Sequence, residues 1–294
     1  MTEPQARLEP AGAWAELVEA ALREDLGTDR IGPEADVTTS TTVPAGAGAR
    51  ARLIARQAGT LAGVAVALAV FRRLDPQIAA RVQVDDGGSV GPGEEILLLR
   101  GRAQALLAGE RTALNFLQHL GGVATLTRAF VEAVAGTGAR ITDTRKTTPG
   151  LRALEKEAVR LGGGVNHRMG LYDAVLIKEN HAACAGGVGV AVARARAAAA
   201  AGTPIYAEAR DLAEVAQLLP VRPDRILLDN MTPAELGRAV EAIRASAPRI
   251  QIEATGGITL ANVRRVALTG VDLISVGALT HSAPALDLSL LFAP

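Results

Sequence analysis

The residues of this chain best suited to chemistry crowd into one stretch. Residues 141–181 read ITDTRKTTPGLRALEKEAVRLGGGVNHRMGLYDAVLIKENH and hold Arg145, Lys146, His167, Arg168 and Lys178, with His181 closing the run. So many cations in one cleft suit a highly anionic substrate. Lysine usage sharpens the point, because the chain has only three lysines, Lys146, Lys156 and Lys178, and its other basic residues are arginines. Lys146 and Lys178 each close a strand-like run, where a compact, mobile point charge has been chosen over a planar guanidinium. Lys156 lies mid-helix beside Glu157 and reads as structural.

The elements that must position these groups alternate regularly. Apolar runs at Arg140–Thr144, Asp173–Lys178, Pro204–Ala209, Arg225–Asn230, Arg249–Thr255 and Asp272–Ala278 read as strands. Between them, Leu151–Leu161, Leu212–Leu219, Ala234–Ala245 and Leu260–Leu268 have helical spacing. Pro233 stands at a first-turn position behind Thr232 as N-cap. Six βα units in a row point to a parallel sheet that right-handed crossovers close toward a barrel. A doubly wound open sheet is the alternative, and the lack of G-x-G-x-x-G after the first strand counts against a dinucleotide fold.

Barrel chemistry gathers at the carboxyl ends of the strands. Those ends supply Arg145 and Lys146, then Lys178, Glu208, Asp229 with Asn230, Thr255-Gly256-Gly257, and Ser275-Val276-Gly277. The two glycine-bearing loops, each followed by a helical segment, suit a phosphate monoester; tight βα turns are the plainer reading. Glu208 and Asp229, which end IYAE and ILLD, suit Mg2+ beside substrate phosphates. They also suit a developing positive charge, or a salt bridge to a neighbouring cation. The Gly162-Gly163-Gly164 cluster gives His167 and Arg168 backbone freedom, and Arg168 can grip a carboxylate bidentately. His119 and His281 read as structural, and no His/Cys cluster has zinc spacing.

Upstream, Trp14–Leu26 has helical periodicity after a frayed tail over residues 1–12. Asp36-Val37-Thr38-Thr39 reads as a polar loop, Arg50–Arg56, Ala79–Val84 and Glu95–Arg100 as strands, and Gly59–Leu74 as a helix. Helical pattern runs over Leu106–His119 and resumes over Ala124–Ala135. This gives an α+β unit over residues 1–114 and a barrel over 115–281. The apolar run Leu61–Phe71 is far short of the roughly 20 residues a bilayer span needs. With equal counts of basic and acidic residues, 31 each, a general nucleic-acid surface is excluded. One cysteine, Cys184, leaves no intrachain disulfide and fits a reducing, cytoplasmic setting without a secretory leader. A Cys184–His181 nucleophile is conceivable, and a small filler residue is the favoured reading.

The central run, together with ILLDNMTPAEL, EATGGIT, TGVDLISVGALTHSAPALDLSL, ALREDLG, ADVTT and ERTALNFLQHLGGVAT, closely resembles the quinolinate phosphoribosyltransferase family, also called nicotinate-nucleotide pyrophosphorylase (carboxylating). The resemblance covers nearly the whole chain. It implies a decarboxylating pentosyltransferase that joins phosphoribosyl pyrophosphate to quinolinate, releasing pyrophosphate and CO2 and giving nicotinate mononucleotide for NAD synthesis, with Mg2+. It implies an N-terminal α/β sandwich and an incomplete, seven-stranded α/β barrel, with the tail 282–294 returning to the first domain. A homodimer, or a hexamer as a trimer of dimers, would donate Arg111 of one subunit to the site of the other. Quinolinate would meet Arg145, His167 and Arg168, with Lys146 and Lys178 also in the pocket. Glu208 and Asp229 would lie near ribose and metal, and the loops Thr255–Gly257 and Ser275–Gly277 would hold the 5′-phosphate. Lys146, Lys178, Glu208 and Asp229 are the candidate catalytic groups.

The chain departs from the family pattern at Ala35 (usually Gly), Gly121 (usually Ser), Thr255 (usually Ser, with the hydroxyl kept) and Tyr206 (usually Glu). The Tyr206 change removes a carboxylate beside the site lysines. Three other readings stand beside this one: a related phosphoribosyltransferase acting on another base, a Schiff-base aldolase using Lys178, and a barrel that binds without catalysis. The intact NHR and LIKENH segments favour quinolinate.

Overall fold

Alternating apolar and charged residues build the first sheet. The computed structural model describes residues 14–293, so the expected tail over 1–12 lies outside the described residues. Helix α1 (Ala15–Leu26) turns Val18 and Leu22 inward. The polar run after Ala35 is a helix and not a loop, α2 (Val37–Thr42), because the Asp36 carboxylate accepts the Thr39 amide at 3.0 Å and caps it. There follow β1 (Gly48–Ala55), β2 (Gly59–Thr60), α3 (Val64–Leu74), β3 (Ala79–Val82), β4 (Ser89–Val90) and β5 (Glu95–Arg102). Strands β1, β5 and β3 pair antiparallel, with Leu53, Leu97 and Leu99 buried on one face and Arg50, Arg52 and Arg100 exposed on the other.

Two helices were expected over Leu106–Ala135; there is one, α4 (Ala103–Ala133). Gly121 and Gly122 do not stop it. A Cβ at Gly122 would lie 2.1 Å from the Pro284 carbonyl oxygen, and one at Gly121 would lie 2.9 Å from Leu286 Cδ2. These glycines make room for another stretch of backbone, which offsets the roughly 1 kcal/mol each costs in a helix.

The second half alternates as expected, with shorter elements. In order come β6 (Arg140–Thr142), α5 (Arg152–Leu161), β7 (Val175–Ile177), α6 (Glu179–Ala185), α7 (Val188–Ala198), β8 (Ile205–Ala209), α8 (Leu212–Val221), β9 (Arg225–Asp229), α9 (Pro233–Ser246), β10 (Gln251–Thr255), α10 (Val263–Ala267), β11 (Leu273–Ser275) and α11 (Ala278–His281). Thr232 caps α9 with Glu235 as its reciprocal partner and Pro233 in the first turn. The strands form one parallel sheet, β6-β11-β10-β9-β8-β7. Beyond β6, Val165 makes a single parallel bridge to Thr142. The expected seven strands are therefore six plus one bridge. Consecutive strands are sheet neighbours all the way round except between Val165 and β7, where pairing is broken. The last strand, β12 (Leu288–Ala293), pairs antiparallel with β1 from Arg50↔Ala293 to Ala55↔Leu288.

The chain divides into two compact units. One holds the described residues up to Leu126, Thr148–Gly163 and the chain from Ala283; the other holds Thr127–Thr147 and Gly164–Ser282. The boundary expected after residue 114 falls inside the unbroken α4. Helix α5, which the βα pattern assigns to the barrel, belongs to the first unit. Its Leu154 and Ala158 line an apolar cavity of about 750 Å³ with Val18, Val66 and Leu120, and its Lys156 is fully buried. Among the described residues no helix is long and apolar enough to cross a membrane.

Candidate active site

Successive residues of a strand face opposite ways, so alternate residues share the barrel interior. This phase sends Lys178, Glu208, Asp229 and Thr255, all at or just past strand ends, into one cavity of about 610 Å³ together with Arg145, Lys146, His167 and Arg168. Gly256, Gly257 and Ser275 complete its phosphate-like side. The cavity is built wholly from the second unit. The interior therefore unites eleven of the fourteen residues expected from the sequence; Arg111, Val276 and Gly277 are not in its lining.

The cationic wall is held firmly. The Arg168 side chain donates from Nη1 to the Ala174 carbonyl at 2.8 Å, and its backbone N–H donates to His167 Nδ1 at 2.7 Å. The His167 backbone N–H donates in turn to the buried Asp143 carboxylate at 2.8 Å. Burial, and then the neighbouring Arg145 charge, hold the Arg168 guanidinium below its usual pKa. Arg145 Nε and Arg168 Nε are both buried donors without an acceptor. Two such donors aimed into a shared cavity call for an anionic acceptor.

The opposite wall carries the carboxylates. Glu208 Oε1 accepts from Lys178 Nζ at 2.6 Å, so the salt-bridge reading of Glu208 holds in this structure. Asp229 accepts only from the adjacent Asn230 side chain, at 3.1 Å. The Thr255-Gly256-Gly257 turn has two successive left-handed residues, with φ of +90° at Gly256 and +60° at Gly257. A Cβ at Gly256 would sit 2.2 Å from Asn230 Oδ1, so glycine is required here by both conformation and space.

The helix-terminus part of the phosphate reading does not hold. The helix after this turn begins only at Val263 and has five residues, and α11 has four. What remains is the backbone of the turn itself. In the other loop Ser275 lines the cavity, but Val276 is buried and its N–H is taken by the Thr142 carbonyl at 2.9 Å. Gly277 serves packing, since a Cβ there would lie 3.1 Å from Lys146 Cδ.

Arg111 is exposed on α4 in the first unit. His119 bonds to the buried Glu155 at 2.8 Å. His181 accepts the Lys178 N–H through Nδ1 and so caps α6. Cys184 is exposed, not a filler.

Three side chains missed in reading the strand ends lie one layer deeper. Glu253 is fully buried and accepts from Arg225 Nη1 at 2.8 Å. Tyr206 lies under the Arg225 guanidinium, 4.4 Å from ring centroid to Cζ. Burial pushes the Glu253 carboxyl up, against the opposing pull of Arg225. The available signal was a carboxylate in mid-strand, two residues before Thr255 in QIEATGG.

Comparison with known proteins agrees along almost the whole chain. The N-terminal domain of quinolinate phosphoribosyl transferase matches residues 36–121, and its C-terminal domain matches residues 123–291. The chain belongs to the quinolinate phosphoribosyltransferase family. It is 45% identical over 280 residues to the nicotinate-nucleotide pyrophosphorylase [carboxylating] of Mycobacterium leprae, covering 95% of this chain and 96% of that protein. It is 38% identical to quinolinate phosphoribosyltransferase [decarboxylating] 1b of Nicotiana tabacum, covering 93% of this chain and 81% of that one. The solved nicotinate-nucleotide pyrophosphorylase of Francisella tularensis superposes with a TM-score of 0.91 at 35% identity, covering 99% of this chain and 100% of its own. Within the family, the cavity described above is the candidate active site, and its floor of Tyr206, Arg225 and Glu253 is part of its construction.

Proposed function

We propose that this chain transfers phosphoribose from phosphoribosyl pyrophosphate to the ring nitrogen of quinolinate, with loss of CO2 and pyrophosphate, giving nicotinate mononucleotide. The observation that carries the reading is the pair of buried, acceptor-less guanidinium donors of Arg145 and Arg168 facing a cavity whose far side holds Glu208, Asp229 and a glycine turn. A dicarboxylate satisfies the first side, and a phosphorylated sugar the second.

In this arrangement Arg145, His167 and Arg168 hold the two carboxylates and aim the ring nitrogen at the anomeric carbon. The nitrogen lone pair forms the new C–N bond as the C–O bond to pyrophosphate breaks. Glu208 and Asp229 face the oxocarbenium-like carbon and favour its positive charge. The ring nitrogen is then cationic and accepts the electron pair left when the adjacent carboxylate departs as CO2. Lys146, an exposed cavity lysine with no carboxylate partner among the described residues, supplies the replacing proton. No covalent enzyme intermediate is needed.

Two carboxylate donors without imidazole or thiolate beside a phosphate-like turn fit Mg2+, which keeps water and substrate oxygens in its coordination shell. Glu208 and Asp229 would hold it, and among the described residues no larger cluster of metal-ligating side chains exists. What the ion supplies when bound is charge neutralisation of the leaving pyrophosphate.

The test is incubation with quinolinate, phosphoribosyl pyrophosphate and Mg2+, followed by detection of nicotinate mononucleotide and CO2. Product from nicotinate but not from quinolinate would move the reading to a relative acting on another base. We also place Arg111 in the site of a partner subunit. An inactive but folded Arg111→Ala should then regain activity when mixed with Arg145→Ala, and failure in verified mixed dimers would refute sharing.

A further inference from the structure

Beneath the cavity, side chains from three adjacent strands interlock. Tyr206 and Arg225 are directly paired across β8 and β9, and the guanidinium stacks on the ring. Arg225 Nε donates to Gln251 Oε1 at 2.7 Å while Nη1 donates to Glu253 Oε2 at 2.8 Å. Arg225 is 7% exposed and Glu253 0%. An ion pair this deep is a poor stabiliser, since well-packed apolar side chains would fill the same volume without the desolvation. Its presence asks for another explanation, and its neighbour provides one.

That neighbour is His167. Tyr206 meets the imidazole edge-on, with centroids 5.7 Å apart and planes at 81°. Glu253 Oε2 lies 3.8 Å from His167 Nε2. On the other side Nδ1 accepts the Arg168 N–H, which leaves Nε2 to carry the proton of the neutral ring. The ring is therefore fixed in rotation by Tyr206 and in tautomer by Arg168, and its N–H edge is set by Glu253. We propose that Tyr206, Arg225 and Glu253 are positioning residues that fix the His167 imidazole for an aromatic dicarboxylate. The assignment of that substrate rests on the function proposed above; the positioning itself does not.

Two variants separate positioning from mere packing. Tyr206→Leu removes the ring, with Tyr206→Phe as the conservative control. Arg225→Met combined with Glu253→Gln removes both charges and leaves neither buried alone. The chain has four histidines, so 15N spectra of histidine-labelled protein are simple, and His167→Gln identifies the His167 signals. In the wild type and Tyr206→Phe the two ring nitrogens should differ strongly, with the proton on Nε2. In Tyr206→Leu and the double variant they should converge as the ring becomes mobile. The quinolinate KM should rise about tenfold in both, while the phosphoribosyl pyrophosphate KM stays within about twofold. Folded variants with an unchanged tautomer and an unchanged quinolinate KM would overturn the proposal, as would an equal rise in both KM values. A wild type inactive on quinolinate sinks the proposed function alone, because the ring-nitrogen spectra still decide the positioning.

Discussion

Replacing Arg168 by lysine is the sharpest probe of the dicarboxylate side. The guanidinium is tied to the Ala174 carbonyl at 2.8 Å through Nη1, and its Nε is buried with no acceptor. Burial and the nearby Arg145 already depress its pKa, so the empty cavity is charged against itself and an incoming carboxylate relieves that. Lysine keeps the charge but gives up the planar fork. The loss is one charge-assisted hydrogen bond, about 1.5–3 kcal/mol, which corresponds to a roughly 10- to 150-fold rise in the quinolinate KM. Stability should fall by only about 1 kcal/mol, the value of the Ala174 bond. Initial rates at saturating phosphoribosyl pyrophosphate, with nicotinate mononucleotide as readout, measure the first quantity, and urea unfolding the second. A folded Arg168→Lys whose quinolinate KM stays within about twofold of wild type would show that this guanidinium does not receive the substrate.

Glu208→Gln breaks the ion pair with Lys178, whose side chain is 51% exposed, so stability should change by less than about 1 kcal/mol while kcat drops about 100-fold or more; a kcat near wild type would remove Glu208 from the chemistry. Gly256→Ala forces a Cβ against Asn230 at a φ of +90° and should cost about 1–3 kcal/mol of local strain, raising the KM for phosphoribosyl pyrophosphate more than that for quinolinate in steady-state assays. Asp86, at the start of α3, accepts the Val64 N–H at 2.9 Å, and its carboxyl is raised by burial against the pull of the Val64, Ala65 and Gly63 amides. A raised carboxyl stabilises the fold below its ordinary pKa, and that contribution is lost as pH rises through the folded value. Denaturant titrations from about pH 4 to pH 7 should therefore show the stability of wild type falling relative to Asp86→Asn; a parallel course would contradict the shift.

The parts of the fold legible in the sequence were those set by local chemistry. Thr232, Pro233 and Glu235 carry the N-terminus of α9 in their side chains, and strand alternation put Lys178, Glu208, Asp229 and Thr255 at the ends of apolar runs. What failed locally failed because a distant segment decided it. Gly121 and Gly122 look like helix breakers until the approach of Pro284 and Leu286 is known. Helix α5 has the period of a barrel-covering helix, yet its Leu154 and Ala158 face Val18 and Val66. Asp36 reads equally as turn or cap, and only the Thr39 amide separates the two.

The floor of the site was missed for a different reason. Parallel strands covered on both faces read as continuous apolar runs, so attention goes to the polar residue that ends each one. A polar residue inside such a run is then more informative than one at its end, because the end of a strand is polar in any barrel while its interior is not. Tyr206, Arg225 and Glu253 are such residues, and the phase of the strands puts each on the same inward face as Glu208, Asp229 and Thr255, with Arg225 four residues before Asp229 and the other two residues before theirs. Taken by phase, the inward positions form two tiers. The upper tier carries the groups that face substrates, and the lower holds a charge pair and an aromatic ring against His167. Residues that bear only on folding have no need to repeat the inward phase of the chemistry. That this tier does so, and ends on a ring of the cationic wall, ties the odd Tyr206 of this chain to the same site as its arginines.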